Sequence, residues 1–171
     1  MNYETINDLA VAIKEALEQR NEMMATAESC TGGLIASSIV DIPGSSAILA
    51  GGVVAYQNEI KVKLLDVSET TIDKYGVVSG ETVKEMADGA RKKFGCEWAV
   101  ATSGIAGPGG AEPGKPVGTV WIAVASSLQN EAFCEIFSGN RNKVREKSVY
   151  KAMQLLLSRL NNQKSTCTKE H

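Results

Sequence analysis

The segment Met23-Met24-Ala25-Thr26-Ala27 is a short apolar run of the kind that fills a buried strand. It passes directly into Glu28-Ser29-Cys30-Thr31-Gly32-Gly33, after which Leu34, Ile35, Ala36, Ile39 and Val40 recur at helical spacing. Strand, glycine-rich turn and helix in this order aim backbone N–H groups at an anion. That one junction points to an α/β fold.

The rest of the chain repeats the alternation. Ile6, Leu9, Ala10, Ile13, Ala16 and Leu17 share one face of an N-terminal helix. Ile48 to Tyr56 reads as a second strand, with Gly51-Gly52 at a bulge or close approach, and a short helix follows from about Asn58 to Leu65. Ser79 caps a helix whose inner face is Val83, Met86, Ala87, Ala90 and Phe94. Trp98 to Thr102 is a third strand, and residues 107–118 are too rich in glycine and proline for a regular element. Val117 to Ala125 and Glu131 to Phe137 read as a hairpin, and Arg141 opens a last helix. A late hairpin after alternating strands and helices implies a mixed sheet.

Composition excludes several chemistries. The single histidine is His171, the last residue, so no histidine triad or proton shuttle is expected. Cys30, Cys96, Cys134 and Cys167 form no CxxC pair and give no zinc signature; free thiols in a reducing compartment are expected. Eighteen Lys+Arg against 20 Asp+Glu leave a net charge of -2, which excludes a general polyanion-binding surface but not a local anion pocket. With 43 % hydrophobic residues and no run long enough for a membrane span or signal peptide, the chain reads as a cytoplasmic globular protein. Residues 1–161 are expected to form one domain and residues 162–171 a polar, disordered tail.

Known phosphate motifs fail on inspection. Gly109 to Lys115 has P-loop spacing, but Pro116 stands where Ser or Thr must hold magnesium, and a strand follows. GxGxxG is absent. Ser148-Val149-Tyr150-Lys151 has SxxK spacing but lies in an amphipathic helix without the partner motifs. Lys61 is more informative: it follows an apolar strand, with Tyr56 five residues before it. A desolvated lysine can be neutral and take a proton from a serine.

Four blocks, Thr26–Gly33, Gly52–Lys61, Ser103–Gly110 and Lys115–Val120, resemble the CinA C-terminal domain family, and similarity runs over about residues 5–160. The resemblance implies a three-layer α/β/α sandwich with a mixed, mostly parallel sheet, related in outline to anticodon-binding domains. It also implies the single-domain form, without the extra N-terminal domain of larger members. The activity implied is metal-independent hydrolysis of the carboxamide of nicotinamide mononucleotide (NMN), giving nicotinic acid mononucleotide and ammonia, with no cofactor.

A Ser–Lys–Tyr arrangement follows from the same resemblance and maps onto Ser46, Lys61 and Tyr56, with Ser45 and Ser29 as alternative nucleophiles. Backbone N–H groups of the Ser45-Ser46 turn or a glycine-rich loop would hold the oxyanion. The 5′-phosphate would suit Ser29, Thr31 and Gly32, or Ser103-Gly104, with Arg141 supplying a fork of donors. The partner is then a small nucleotide rather than nucleic acid or membrane, and self-association is common in such families. The competing reading is a non-catalytic nucleotide-binding or regulatory module linked to competence or DNA damage.

Overall fold

The computed structural model describes residues 3–163. Helix α1 (Ile6–Arg20) starts at a Thr5 capping box shared with Asp8 and ends where Asn21 turns left-handed. Strand β1 (Met24–Glu28) follows, then α2 (Leu34–Val40), a 3₁₀ turn at Ser45–Ala47, and β2 (Leu49–Val54). Next come α3 (Asn58–Leu65), α4 (Glu69–Tyr75), α5 (Gly80–Phe94) and β3 (Trp98–Gly104). Strands β4 (Thr119–Ala125) and β5 (Asn130–Ile136) and helix α6 (Arg141–Asn162) complete the order.

The five strands form one sheet in the order β2-β1-β3-β4-β5. Strand β1 pairs parallel with β2 and with β3, while β4 runs antiparallel to both β3 and β5. Four strands therefore point one way and β4 alone points back. This is the mixed sheet expected, closed by the expected hairpin. A register shift beside Met24 and Ala25 opposes the glycines of β2, and a Cβ on Gly52 would run into the Thr26 hydroxyl.

Alternation along the strands sorts residues by size. Met24, Trp98, Val100, Val120, Ile122 and Val124 face a layer made by α1, α2 and α6. Ala25, Ala27, Ala99, Ala101, Ala123 and Ala125 face α5 and α3. Six alanines on one face let α5 lie close to the sheet. Close packing continues outward, since a Cβ on Gly89 of α5 would meet the Leu65 carbonyl at the end of α3.

Helix α4 has no counterpart in the sequence pattern. It is seven residues long and buries none of them, so it leaves no apolar periodicity to read. Of the expected tail, Asn162 closes α6 and Gln163 caps it, while residues 164–171, Cys167 and His171 among them, lie outside the described residues. Among the described residues, no helix is long and apolar enough to cross a membrane.

Candidate active site

The parallel strands β1, β2 and β3 end on the same edge of the sheet, and the segments leaving them meet there. Ser29 follows β1, Ala55 and Tyr56 follow β2, and Ser103-Gly104 closes β3. Ser29, Tyr56, Ser103 and Gly104, together with Cys30, Val78 and Arg141, line a cavity of about 190 Å³. A larger groove of about 710 Å³ runs along α1, β5 and α6, but it holds no nucleophile beside a buried base.

Lys61 sits in the second turn of α3 and is 1 % exposed. Its Nζ lies 2.8 Å from the Ala55 carbonyl, 3.3 Å from the Tyr56 carbonyl and 3.3 Å from Ser29 Oγ. Burial lowers the lysine below its ordinary 10.5, offset in part by negative charge on Cys30. Burial in turn pushes the Cys30 thiol up to about 11, so near neutrality that charge is absent. The two carbonyls can only accept, which takes two N–H bonds. A neutral amine then has a lone pair left for the third direction, where the Ser29 O–H stands. The arrangement can draw a proton from a serine.

Ser29 is anchored on both sides. Its N–H donates to the Thr102 carbonyl at 3.0 Å, and its carbonyl accepts from Gly32 N–H at 3.1 Å. Along residues 29–36, most backbone N–H groups are already committed: Leu34 to Thr31, and Gly33, Ile35 and Ala36 to the Glu28 carboxylate. Among the described residues, those of Cys30 and Thr31 have no oxygen acceptor. Both are therefore open to a developing oxyanion.

Several expected site residues fall elsewhere. Ser45 and Ser46 form the 3₁₀ turn before β2, and the adjoining Ile48 carbonyl receives the first N–H of β1 at 2.7 Å. They therefore stand at the start of the parallel strands, whereas Lys61 reaches the residue just past the end of β2. Six strand residues separate the two ends by roughly 20 Å. Ser46 is exposed there and does not meet Lys61; Ser29 does.

The helix-start anion site is also filled. Thr31 Oγ1 donates to Glu28 at 2.7 Å, and Gly32, at φ 64°, packs beside Arg145. Ser103 Oγ is held by the Val77 carbonyl at 2.7 Å, and a Cβ on Gly104 would crowd β4. Ser103 thus lines the cavity with its hydroxyl committed, and Thr31 and Gly32 lie behind it, the Thr31 hydroxyl and the Gly32 N–H likewise committed.

Tyr56 reaches Lys61 through its carbonyl, not its phenol. The phenol oxygen accepts from Arg141 Nη2 at 3.0 Å, and Nη1 donates to the Gly107 carbonyl at 2.8 Å. Arg141, the first residue of α6, thereby ties the loop after β3 to the segment after β2. Its guanidinium is exposed at the cavity rim, beside a Tyr56 that is 57 % exposed. Among the described residues, no group of three or more His, Cys, Asp or Glu side chains could hold a metal ion. Neither Arg145 nor Glu28 was expected at the site. Their only sequence signals were a helical repeat of four from Arg141 and the acidic residue opening the glycine-rich turn.

The model of the CinA C-terminal domain matches residues 6–160. A CinA-like protein of Fervidobacterium nodosum is 49 % identical over 144 residues, which is 84 % of this chain and 35 % of that protein. A CinA-like protein of Thermotoga neapolitana is 44 % identical over 161 residues, 94 % of this chain and 38 % of that protein. The chain spans little more than a third of the length of these curated relatives. The crystal structure of a competence damage-inducible protein A from Klebsiella pneumoniae superposes with a TM-score of 0.91 at 34 % identity, covering 94 % of this chain and 100 % of that one. A competence/damage inducible protein from Agrobacterium tumefaciens gives 0.88 at 36 % identity, covering 94 % and 99 %.

Proposed function

This chain belongs to the CinA C-terminal domain family, and we propose that it hydrolyses the carboxamide of NMN to nicotinic acid mononucleotide and ammonia. The observation that carries this reading is the contact between Lys61 Nζ and Ser29 Oγ beneath a small cavity. Burial lowers the hold of Lys61 on its proton, and in the neutral form two N–H groups go to carbonyls while the lone pair faces the Ser29 hydroxyl.

In the proposed reaction, Lys61 takes the Ser29 proton as Oγ attacks the carboxamide carbon. The Cys30 and Thr31 N–H groups receive the oxyanion. Lys61 then passes its proton to the departing nitrogen, the C–N bond breaks, and ammonia leaves an ester on Ser29. Water attacks the ester, giving one proton to Lys61 and from there to Ser29 Oγ as the C–O bond breaks. The acid formed ionises to the carboxylate, its proton passing to solvent or to the ammonia. Ser29 replaces Ser46 as nucleophile because a proton transfer needs hydrogen-bond reach, which Ser46 lacks. Arg141 and the Tyr56 phenol, exposed at the rim, are suited to the substrate's phosphate.

Ammonia release measured on NMN, nicotinamide riboside and free nicotinamide tests the proposal. Release from NMN, and much less from the other two, is expected. Binding of NMN without release would favour a nucleotide-binding module, and equal release from free nicotinamide would contradict a phosphate-reading rim.

A further inference from the structure

The last residue of β1, Glu28, has no exposed surface, and the reaction above makes no use of its carboxylate. Oε2 accepts from Thr31 Oγ1 at 2.7 Å and from the N–H groups of Gly33 and Ile35 at 3.0 Å each, while Oε1 accepts from Ala36 N–H at 2.9 Å. These N–H groups belong to the start of α2, where a helix leaves its donors unpaired. The chain's own carboxylate thus fills the place that a turn of this kind offers to an anion.

Two chains of bonds lead from Glu28 to the reacting pair. A carboxylate only accepts, so Thr31 gives its one hydroxyl hydrogen to Glu28 and must accept from Thr102 Oγ1 at 2.7 Å. The Thr102 carbonyl holds the Ser29 N–H. On the other side, the Glu28 carbonyl accepts from Ala55 N–H at 2.8 Å, and the Ala55 carbonyl holds Lys61 Nζ at 2.8 Å.

We infer that Glu28 is a positioning residue, the internal anion of α2 that fixes the Ser29 turn against Lys61. This rests on the hydrolase reading above. Glu28→Gln sets an NH₂ group against donors whichever oxygen it replaces, since both oxygens receive hydrogen bonds. Thr31→Val keeps the side-chain shape and removes both hydroxyl bonds.

The test labels the wild type, Glu28→Gln and Thr31→Val with a serine-directed fluorophosphonate, followed by intact mass and peptide mapping, beside NMN kinetics and thermal unfolding. Folded variants should label at Ser29 at least ~10-fold more slowly, with kcat down by a similar factor and KM within about twofold. Labelling at the wild-type rate, or a raised KM with unchanged kcat, overturns the inference. If Glu28→Gln does not fold, Thr31→Val decides alone. A wild type that labels at Ser29 but leaves NMN intact removes the substrate assignment, and the labelling rates still judge Glu28. A wild type that does not label at Ser29 overturns both.

Discussion

Arg141 Nη2 donates to the Tyr56 phenol oxygen at 3.0 Å, across 85 residues of sequence. That bond draws the phenol to the rim of the cavity and leaves Lys61 with only the backbone carbonyl of Tyr56. The phenol hydrogen and the remaining guanidinium donors form a local positive rim in a chain of net charge -2.

Binding and chemistry should therefore separate at Arg141. Arg141→Met is expected to raise KM for NMN by ~10-fold or more with little change in kcat, because the rim contacts substrate and transition state alike. Steady-state kinetics check this. A collapse of kcat at unchanged KM would place Arg141 with the reacting groups instead.

The lysine predicts a pH dependence in both activity and stability. Its folded pKa lies below 10.5, and the neutral form is the base, so kcat/KM should rise with pH through that lowered value. The unfolded chain binds the proton more tightly, so the same shift destabilises the fold as pH drops from 10.5 through the folded pKa. Relative to Lys61→Met, the wild type should gain stability as pH rises across that window. Parallel unfolding curves of the two proteins at several pH values check the sign, and a gap that stays constant would contradict a depressed lysine.

Packing against the alanine face predicts a stability effect remote from the chemistry. Gly89→Ala places a methyl group against the Leu65 carbonyl, which is backbone and cannot rotate away. A loss of about 1–3 kcal/mol in chemical denaturation is expected, whereas the same change at Gly109, which has open space, should have no comparable effect.

Most elements were legible in the sequence because burial imposes a period. All five residues of β1 are buried, and α5 carries its apolar face on a clear helical repeat. Helix α4 buries nothing and so wrote no pattern. The site was half legible for a related reason. Lys61 stood out as a lysine following an apolar strand, but the partner serine depended on which end of β2 lies over the site, which single-strand patterns do not encode. Ser46 precedes β2 by three residues and falls at the wrong end. The turn Glu28–Gly33 reads as a helix start open to an external anion, but its N–H groups go to the Glu28 carboxylate, a distinction that nothing in its composition encodes.

The pairing of Ser29 with Lys61 is the centre of this account, and ammonia release from NMN by Ser29→Ala, set beside Ser46→Ala, tests it most directly. Ser29→Ala should retain less than ~0.1 % of wild-type kcat/KM, in keeping with the loss of a nucleophile, while Ser46→Ala should stay within about twofold of wild type, as an exposed side chain away from the cavity should. Near-normal release by Ser29→Ala, with Ser46→Ala inactive, would contradict it.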